Sequence, residues 1–181
     1  MDIISDIELL EQLRRGDTIG LSHLYTRYRE RLQRYCTGLL KDRDVAEDVV
    51  QNVFLKLHTG QDSIRNGQAL ERWLFTVARN EAYTFLVRKK PLPLDESIIW
   101  EGDSPEDELM LKQRHEIVDA VVQRLHVAYR EVIMLRIYEQ LSYEEIAEIT
   151  GTTIPSVKSR LFKARKALIN QLQPVIDCER M

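Results

Sequence analysis

The sequence predicts an all-α protein: two helical domains joined by an acidic, proline-containing linker. Three observations point there. Apolar residues recur at steps of three and four along most of the 181 residues, and caps and stops of helices, not of strands, punctuate them. The stretch PLPLDESIIWEGDSPEDE breaks that periodicity with three prolines and an acidic run. Near the C-terminus, LSYEEIAEITGTTIPSVKSRLFKARKAL carries the punctuation of two short helices around a glycine turn. The expected domains are residues 1–91 and 111–181, with the linker at 92–110.

The elements follow in order. Ser5 and Glu8 have capping-box spacing, Ile7, Leu10 and Leu13 form a stripe behind them, and Gly16 can close this first helix. Asp17 restarts the chain into a helix whose apolar positions are Leu21, Leu24, Tyr25, Tyr28, Leu32, Tyr35 and Leu39. Asp44 with Glu47 is the expected cap of a third helix, DVAEDVVQNVFLKLH, that runs to Gly60. A polar loop, QDSIRNGQ, turns at Asn66-Gly67 and leads into a helix from about Ala69 to Lys90, halted by Pro91. Beyond the linker the helical pattern resumes near Glu106, passes Leu111, Ile117 and Val121, and continues through Val132, Ile133, Leu135 and Ile137.

Charge is unevenly placed. The net charge is −3, yet residues 1–90 and 151–181 each hold more Lys and Arg than Asp and Glu. The deficit comes from the middle, where Asp95, Glu96, Glu101, Asp103, Glu106, Asp107 and Glu108 stand in the linker without one basic residue. No apolar run approaches the roughly 20 residues needed to cross a bilayer, and MDIISDIELLEQLRRGD has no signal-peptide character. A cytoplasmic protein is expected. Cys36 sits in an apolar stripe and Cys178 near the end, so neither a disulfide nor a metal site is expected. His23, His58, His115 and His126 are scattered and are expected at or near the surface. No phosphate loop, HExxH motif or catalytic cluster is present, so no cofactor and no enzymatic activity of its own are expected.

In the C-terminal pair, Ser142 with Glu145 caps the first helix, Ile146, Ala147 and Ile149 face inward, and Gly151 provides the left-handed turn. Thr153 caps the second helix, where Pro155 is harmless because first-turn amides have no intrahelical partner. Along that helix Val157, Leu161, Ala164 and Leu168 share the core face, which leaves Phe162 on the far side among basic and hydroxyl residues. A recognition helix enters the major groove by its N-terminal half. Its reading face would then carry Ser156, Lys158, Ser159, Phe162 and Lys163, with Phe162 against a thymine methyl and the lysines on phosphates.

QRLHVAYREVIMLRIYEQLSYEEIAEITGTTIPSVKSRLFKARKAL resembles region 4 of the extracytoplasmic-function (ECF) group of bacterial RNA polymerase sigma factors, which binds the promoter element near minus 35. LYTRYRERLQRYC and DVAEDVVQNVFLKL resemble the start of that group's region 2, and ALERWLFTVARNEAYTFLVRKK the part that melts and holds the minus 10 strand. The likeness spans about residues 7 to 172. It implies a protein that binds core RNA polymerase, through the coiled coil of the clamp subunit and the flap, and directs it to promoter DNA. An anti-sigma factor is an expected further partner and could hold the chain at the inner membrane.

Residue by residue, the resemblance assigns core polymerase docking to Asp44, Asp48 and Gln51, which share a polar helix face opposite Val45, Val49 and Val53, with Asn52 alongside. It assigns minus 10 recognition to Arg65, Asn66 and Gln68 of the loop and to Arg72, Arg79, Asn80 and Tyr83 of the helix after it. Trp73, Leu74 and Val77 are expected in the core. Thr84 stands where the group often has an aspartate, and His126-Val127 replaces its usual Leu-Pro-Pro. Two other readings compete: a stand-alone helix-turn-helix regulator that binds an operator as a dimer, and a helical adaptor that binds only proteins.

Overall fold

The computed structural model describes residues 4–60, 64, 68–89, 99 and 114–178. Among them the chain forms helices α1 (Asp6–Arg14), α2 (Thr18–Leu40), α3 (Arg43–Gly60), α4 (Gln68–Lys89), α5 (Arg114–Arg124), α6 (Val127–Ile133), α7 (Tyr143–Thr150) and α8 (Ile154–Cys178). A π-helical turn, Met134–Tyr138, continues α6. Two compact units result. The first holds α1 to α4; the second holds α5, α6, α8 and most of α7. Apart from Ile99, residues 90–113 and their acidic run lie outside the described residues.

In the first unit the caps organise the entry to each helix. Ser5 and Glu8 form the reciprocal box, Gly16 takes φ +83°, and the Asp17 carboxylate accepts from the Ile19 amide at 2.9 Å. The α3 cap is Asp42, not Asp44: its carboxylate accepts from the Val45 amide at 3.2 Å. Lys41, in the left-handed region at φ 57°, turns the chain sharply enough that the helix begins at Arg43, which leaves Asp44 inside the first turn.

α2 packs along both α1 and α3, and α4 closes the bundle against α2 and α3. The core holds Leu9, Leu10 and Leu13 from α1, Leu24, Leu32, Tyr35 and Leu39 from α2, Val49, Val53 and Leu57 from α3, and Leu70, Leu74, Phe75 and Ala78 from α4. Each of the leucine, valine and phenylalanine side chains among them contributes about 1.5 to 3 kcal/mol when fully buried. Tyr35 meets Phe75 edge-on at 5.4 Å between centroids, and Tyr25 meets Phe54 at 4.8 Å. Ile7 is exposed instead, because Leu9, Leu10 and Leu13 already form the buried face of a short helix. Trp73 and Val77 are half-buried, so of the expected trio only Leu74 is fully core. Cys36 is a free, buried thiol, pushed up to about 12 by burial.

Two contacts between α1 and α2 carry predictions. A Cβ built on Gly20 would lie 2.5 Å from the Leu9 carbonyl oxygen and 3.2 Å from the Leu13 amide nitrogen, so the helices cross at backbone distance. Gly20→Ala is expected to cost about 1 to 3 kcal/mol, the usual scale of overpacking, and an unchanged denaturation midpoint would show that this crossing does not constrain the fold. Nearby, the buried Tyr28 hydroxyl donates to Asp6, which also accepts from Arg27. Burial first, and then the hydrogen bond to Asp6, raise the Tyr28 phenol well above its ordinary 10.0. Because the folded value is the higher one, its stabilisation is complete below pH 10.0 and is lost as pH rises beyond it. Tyr28→Phe is expected to cost about 1.5 to 3 kcal/mol at neutral pH, since the acceptor is a carboxylate, and to flatten the alkaline decline. A melting temperature equal to the parent's at pH 7 and pH 11 would contradict this.

In the second unit α6 and α5 both pack on α8. Val127, Tyr129, Val132, Ile133 and Leu135 meet a core that includes Val157, Leu161 and Ala164 of α8. α8 runs ten residues past the stretch read from the sequence, and Leu168 at the end of that stretch and Leu172 beyond it pack against Ile117 and Val121 of α5. His126 is buried, at 5% exposure, and not at the surface. The reason is its position as N-cap of α6, where Nδ1 accepts from the Ala128 amide at 3.4 Å and its own amide donates to the Ile99 carbonyl at 2.7 Å. A buried Arg130 donates to the carbonyls of Gln123 and Leu125, at 3.1 and 2.5 Å, and so ties the end of α5 to α6. The π-turn shifts the helical phase after Ile133. Leu135 stays buried but Ile137 turns out to 49% exposure, against its place in the sequence stripe.

Candidate nucleic-acid and polymerase interfaces

The helix-turn-helix is built from local bonds. Ser142 and Glu145 cap α7 reciprocally: the Glu145 amide donates to the serine hydroxyl at 3.1 Å, and the Ser142 amide to the glutamate at 2.8 Å. At the other end Gly151 has φ +64°, the Thr152 amide donates to the Ala147 carbonyl at 3.0 Å and the Gly151 amide to Glu148 at 3.3 Å, the pairing of a Schellman stop. Ile146, Ala147 and Ile149 are buried, and the Thr153 hydroxyl accepts from the Ser156 amide at 3.3 Å to open α8.

On α8 the buried stripe Val157, Leu161 and Ala164 fixes which side faces out. Phe162 is 69% exposed, with Lys158, Ser159, Lys163, Arg165 and Lys166 also exposed and Ser156 half-buried. The five expected reading residues therefore all reach solvent on one helix whose charged side chains are all basic up to residue 176. That arrangement provides phosphate-binding cations around an apolar plate, the combination a thymine-bearing major groove accepts.

A second face lies on α4. Arg72, Arg79 and Tyr83 recur at steps of seven and four and are half-buried, with exposed Asn80 beside them. The Arg79 guanidinium carbon lies 4.3 Å from the Tyr83 ring centroid, which makes a flat, cationic platform of the kind an unstacked base can use. Thr84 is exposed and its hydroxyl donates back to the Asn80 carbonyl at 2.9 Å, so no carboxylate faces that platform from position 84. Arg65 and Asn66 lie outside the described residues; Gln68 opens α4, and its side chain is likewise outside them.

The third face is on α3. Asp44, Asp48 and Gln51 are exposed and Asn52 half-buried, opposite Val49 and Val53; Val45 is half-buried at the side. Leu55 continues the same row at the next step of four and is 62% exposed. Sequence reasoning passed over it, although the signal was present: an apolar residue at a position that the pattern reserves for polar ones. Among the described residues no group of metal-ligating side chains occurs, and no helix is long and apolar enough to cross a membrane.

Comparison with known proteins identifies the family. Residues 24–91 match the Sigma-70 region 2 family and residues 115–168 the Sigma-70, region 4 family. The chain is 31% identical to the ECF RNA polymerase sigma-E factor of Haemophilus influenzae, over 96% of this chain and 98% of that one. It is 31% identical to the protein of the same name from Escherichia coli K12, over 96% and 97%. The solved structure of the sigma factor RpoE in complex with the anti-sigma factor NepR from Bartonella quintana matches with a TM-score of 0.64 and 26% identity, over 90% of this chain and 98% of that one. With both regions present in order and near-complete coverage, the chain belongs to the sigma-70 family, in its group of ECF RNA polymerase sigma factors.

Proposed function

We propose that this chain is a specificity subunit without catalysis of its own, which binds core RNA polymerase in the cytoplasm and selects promoters by two separate DNA contacts. Residues 1–91 serve as the polymerase-binding and minus 10 domain, 92–110 as a linker, and 111–181 as the minus 35 domain. On this reading Ser156, Lys158, Ser159, Phe162 and Lys163 meet the minus 35 duplex. Arg72, Arg79, Asn80 and Tyr83, together with Arg65, Asn66 and Gln68, hold the minus 10 strand. Asp44, Asp48, Gln51 and Asn52 dock on the coiled coil of the polymerase clamp, and the second domain on the flap.

One observation carries the proposal: a single chain pairs a basic helix bearing an exposed Phe162 with a distinct acidic and amide face on α3. A DNA-binding regulator needs the first face and has no use for the second. The RpoE relative is bound by an anti-sigma factor, which supports a similar inhibitory partner here, one able to retain the chain at the inner membrane. Gel filtration with and without core polymerase tests the reading. A free monomer that co-elutes with core supports it; a free dimer that shifts operator DNA without core supports the stand-alone regulator instead.

A further inference from the structure

Tyr143, the first residue of α7, is half-buried, and two cations rest against its ring. The Arg136 guanidinium carbon is 4.9 Å from the centroid and the Lys158 Nζ 5.5 Å. Three elements converge to make this arrangement. The π-turn supplies Arg136, whose guanidinium also donates to the Leu141 carbonyl at 2.7 Å. Gln140, at φ 59°, reverses the chain so that the Leu141 amide returns to the Leu135 carbonyl at 3.1 Å, which brings Tyr143 back beside the π-turn. Lys158 reaches across from the first turns of α8.

Two like charges against one ring repel each other, and among the described residues no carboxylate pairs with either. Together they favour an anion. Since Lys158 lies on the outward face at the start of a DNA-reading helix, the anion that fits is a backbone phosphate. A lysine is a flexible four-carbon stem that loses much rotamer freedom when its ammonium is fixed; a ring that already restrains it reduces that loss at binding.

We propose that Tyr143 is a positioning residue for promoter binding: its ring, not its hydroxyl, presets Lys158 to meet a DNA phosphate. The proposal rests on the reading of α8 as the minus 35 helix.

The test uses full-length chains reconstituted with core polymerase, with promoter affinity measured across a salt series for Tyr143→Phe, Tyr143→Leu, Lys158→Ala and the Tyr143→Leu/Lys158→Ala pair. Phenylalanine keeps the ring, so Tyr143→Phe is expected to bind like the parent, while Tyr143→Leu loses about two- to five-fold, the scale of an exposed cation–π contact. The double variant is expected to bind no more weakly than Lys158→Ala alone. In NMR spectra of the free chain, the Lys158 ε-methylene protons should be shifted upfield by the ring in the parent and in Tyr143→Phe, and not in Tyr143→Leu. Equal losses for Phe and Leu, independent losses in the double variant, or an absent ring shift in the parent would each overturn the proposal. Parent-like affinity and salt slope for Lys158→Ala would overturn the underlying assignment of Lys158 to a phosphate, a distinguishable failure.

Discussion

Asp48→Arg is expected to abolish co-elution with core RNA polymerase while the melting temperature stays within a degree or two of the parent. Asp48 is exposed in the middle of a row that runs Asp44, Asp48, Gln51, Leu55 along α3, and the buried face of that helix is fully occupied by Ala46, Val49, Val50, Val53 and Leu57. Nothing in the core depends on the aspartate. Surface substitutions of this kind stay within about 0.5 kcal/mol of stability. At an interface the same change replaces an attraction by a repulsion, and loss of one partner in a desolvated charge pair costs about 2 to 5 kcal/mol, or roughly 30-fold and more in affinity. Leu55→Asp is a second probe of the same face, since an exposed leucine amid polar groups has the position of an apolar anchor. If Asp48→Arg binds core normally, the α3 face is not the docking surface; if it unfolds the protein, the face is structural and the assignment fails for a different reason.

Phe162→Ala is expected to change promoter preference at one base pair by about 1 to 3 kcal/mol. Lys163→Ala is expected to weaken binding on every promoter alike and to lower the salt slope by roughly one unit. The difference follows from their surroundings. Phe162 carries no charge and is 69% exposed on the outer side of α8, so its contribution depends on what apolar group it meets. Lys163 is exposed on the same helix and offers only a charge, which cannot distinguish one phosphate from another. The measurement is holoenzyme affinity on a set of minus 35 variants at several salt concentrations. Equal losses across all promoters from both substitutions would contradict these separate roles.

How much of this could be read from residues alone depends on how local the determinants are. The capping boxes at Ser5 and Ser142, the stops at Gly16 and Gly151, and the outward Phe162 are each set by a few neighbouring residues, and the structure places them as expected. The α3 cap falls two residues before the expected Asp44, because Asp42 and Asp44 are both residues able to cap. A left-handed Lys41, which no propensity favours, decides between them. The π-turn at Met134–Tyr138 departs from the α-helical periodicity by which Ile137 continues the apolar pattern, so the outward turn of Ile137 is not legible in that pattern. His126 became buried because a chain-distant carbonyl, that of Ile99, fixes its amide. The three-way meeting of Arg136, Tyr143 and Lys158 is likewise tertiary, and their spacing in sequence gives no hint of it.

As a sigma factor of the ECF group, this chain confers promoter choice on another enzyme. The most direct test of this is transcription in vitro: purified core polymerase, a library of promoter fragments, and sequencing of transcript starts with and without the chain. Starts are expected that appear only when the chain is added, that share one sequence element near minus 35 and another near minus 10, and that are lost with Asp48→Arg. The same starts from core alone, or none above background with the chain present, would contradict it.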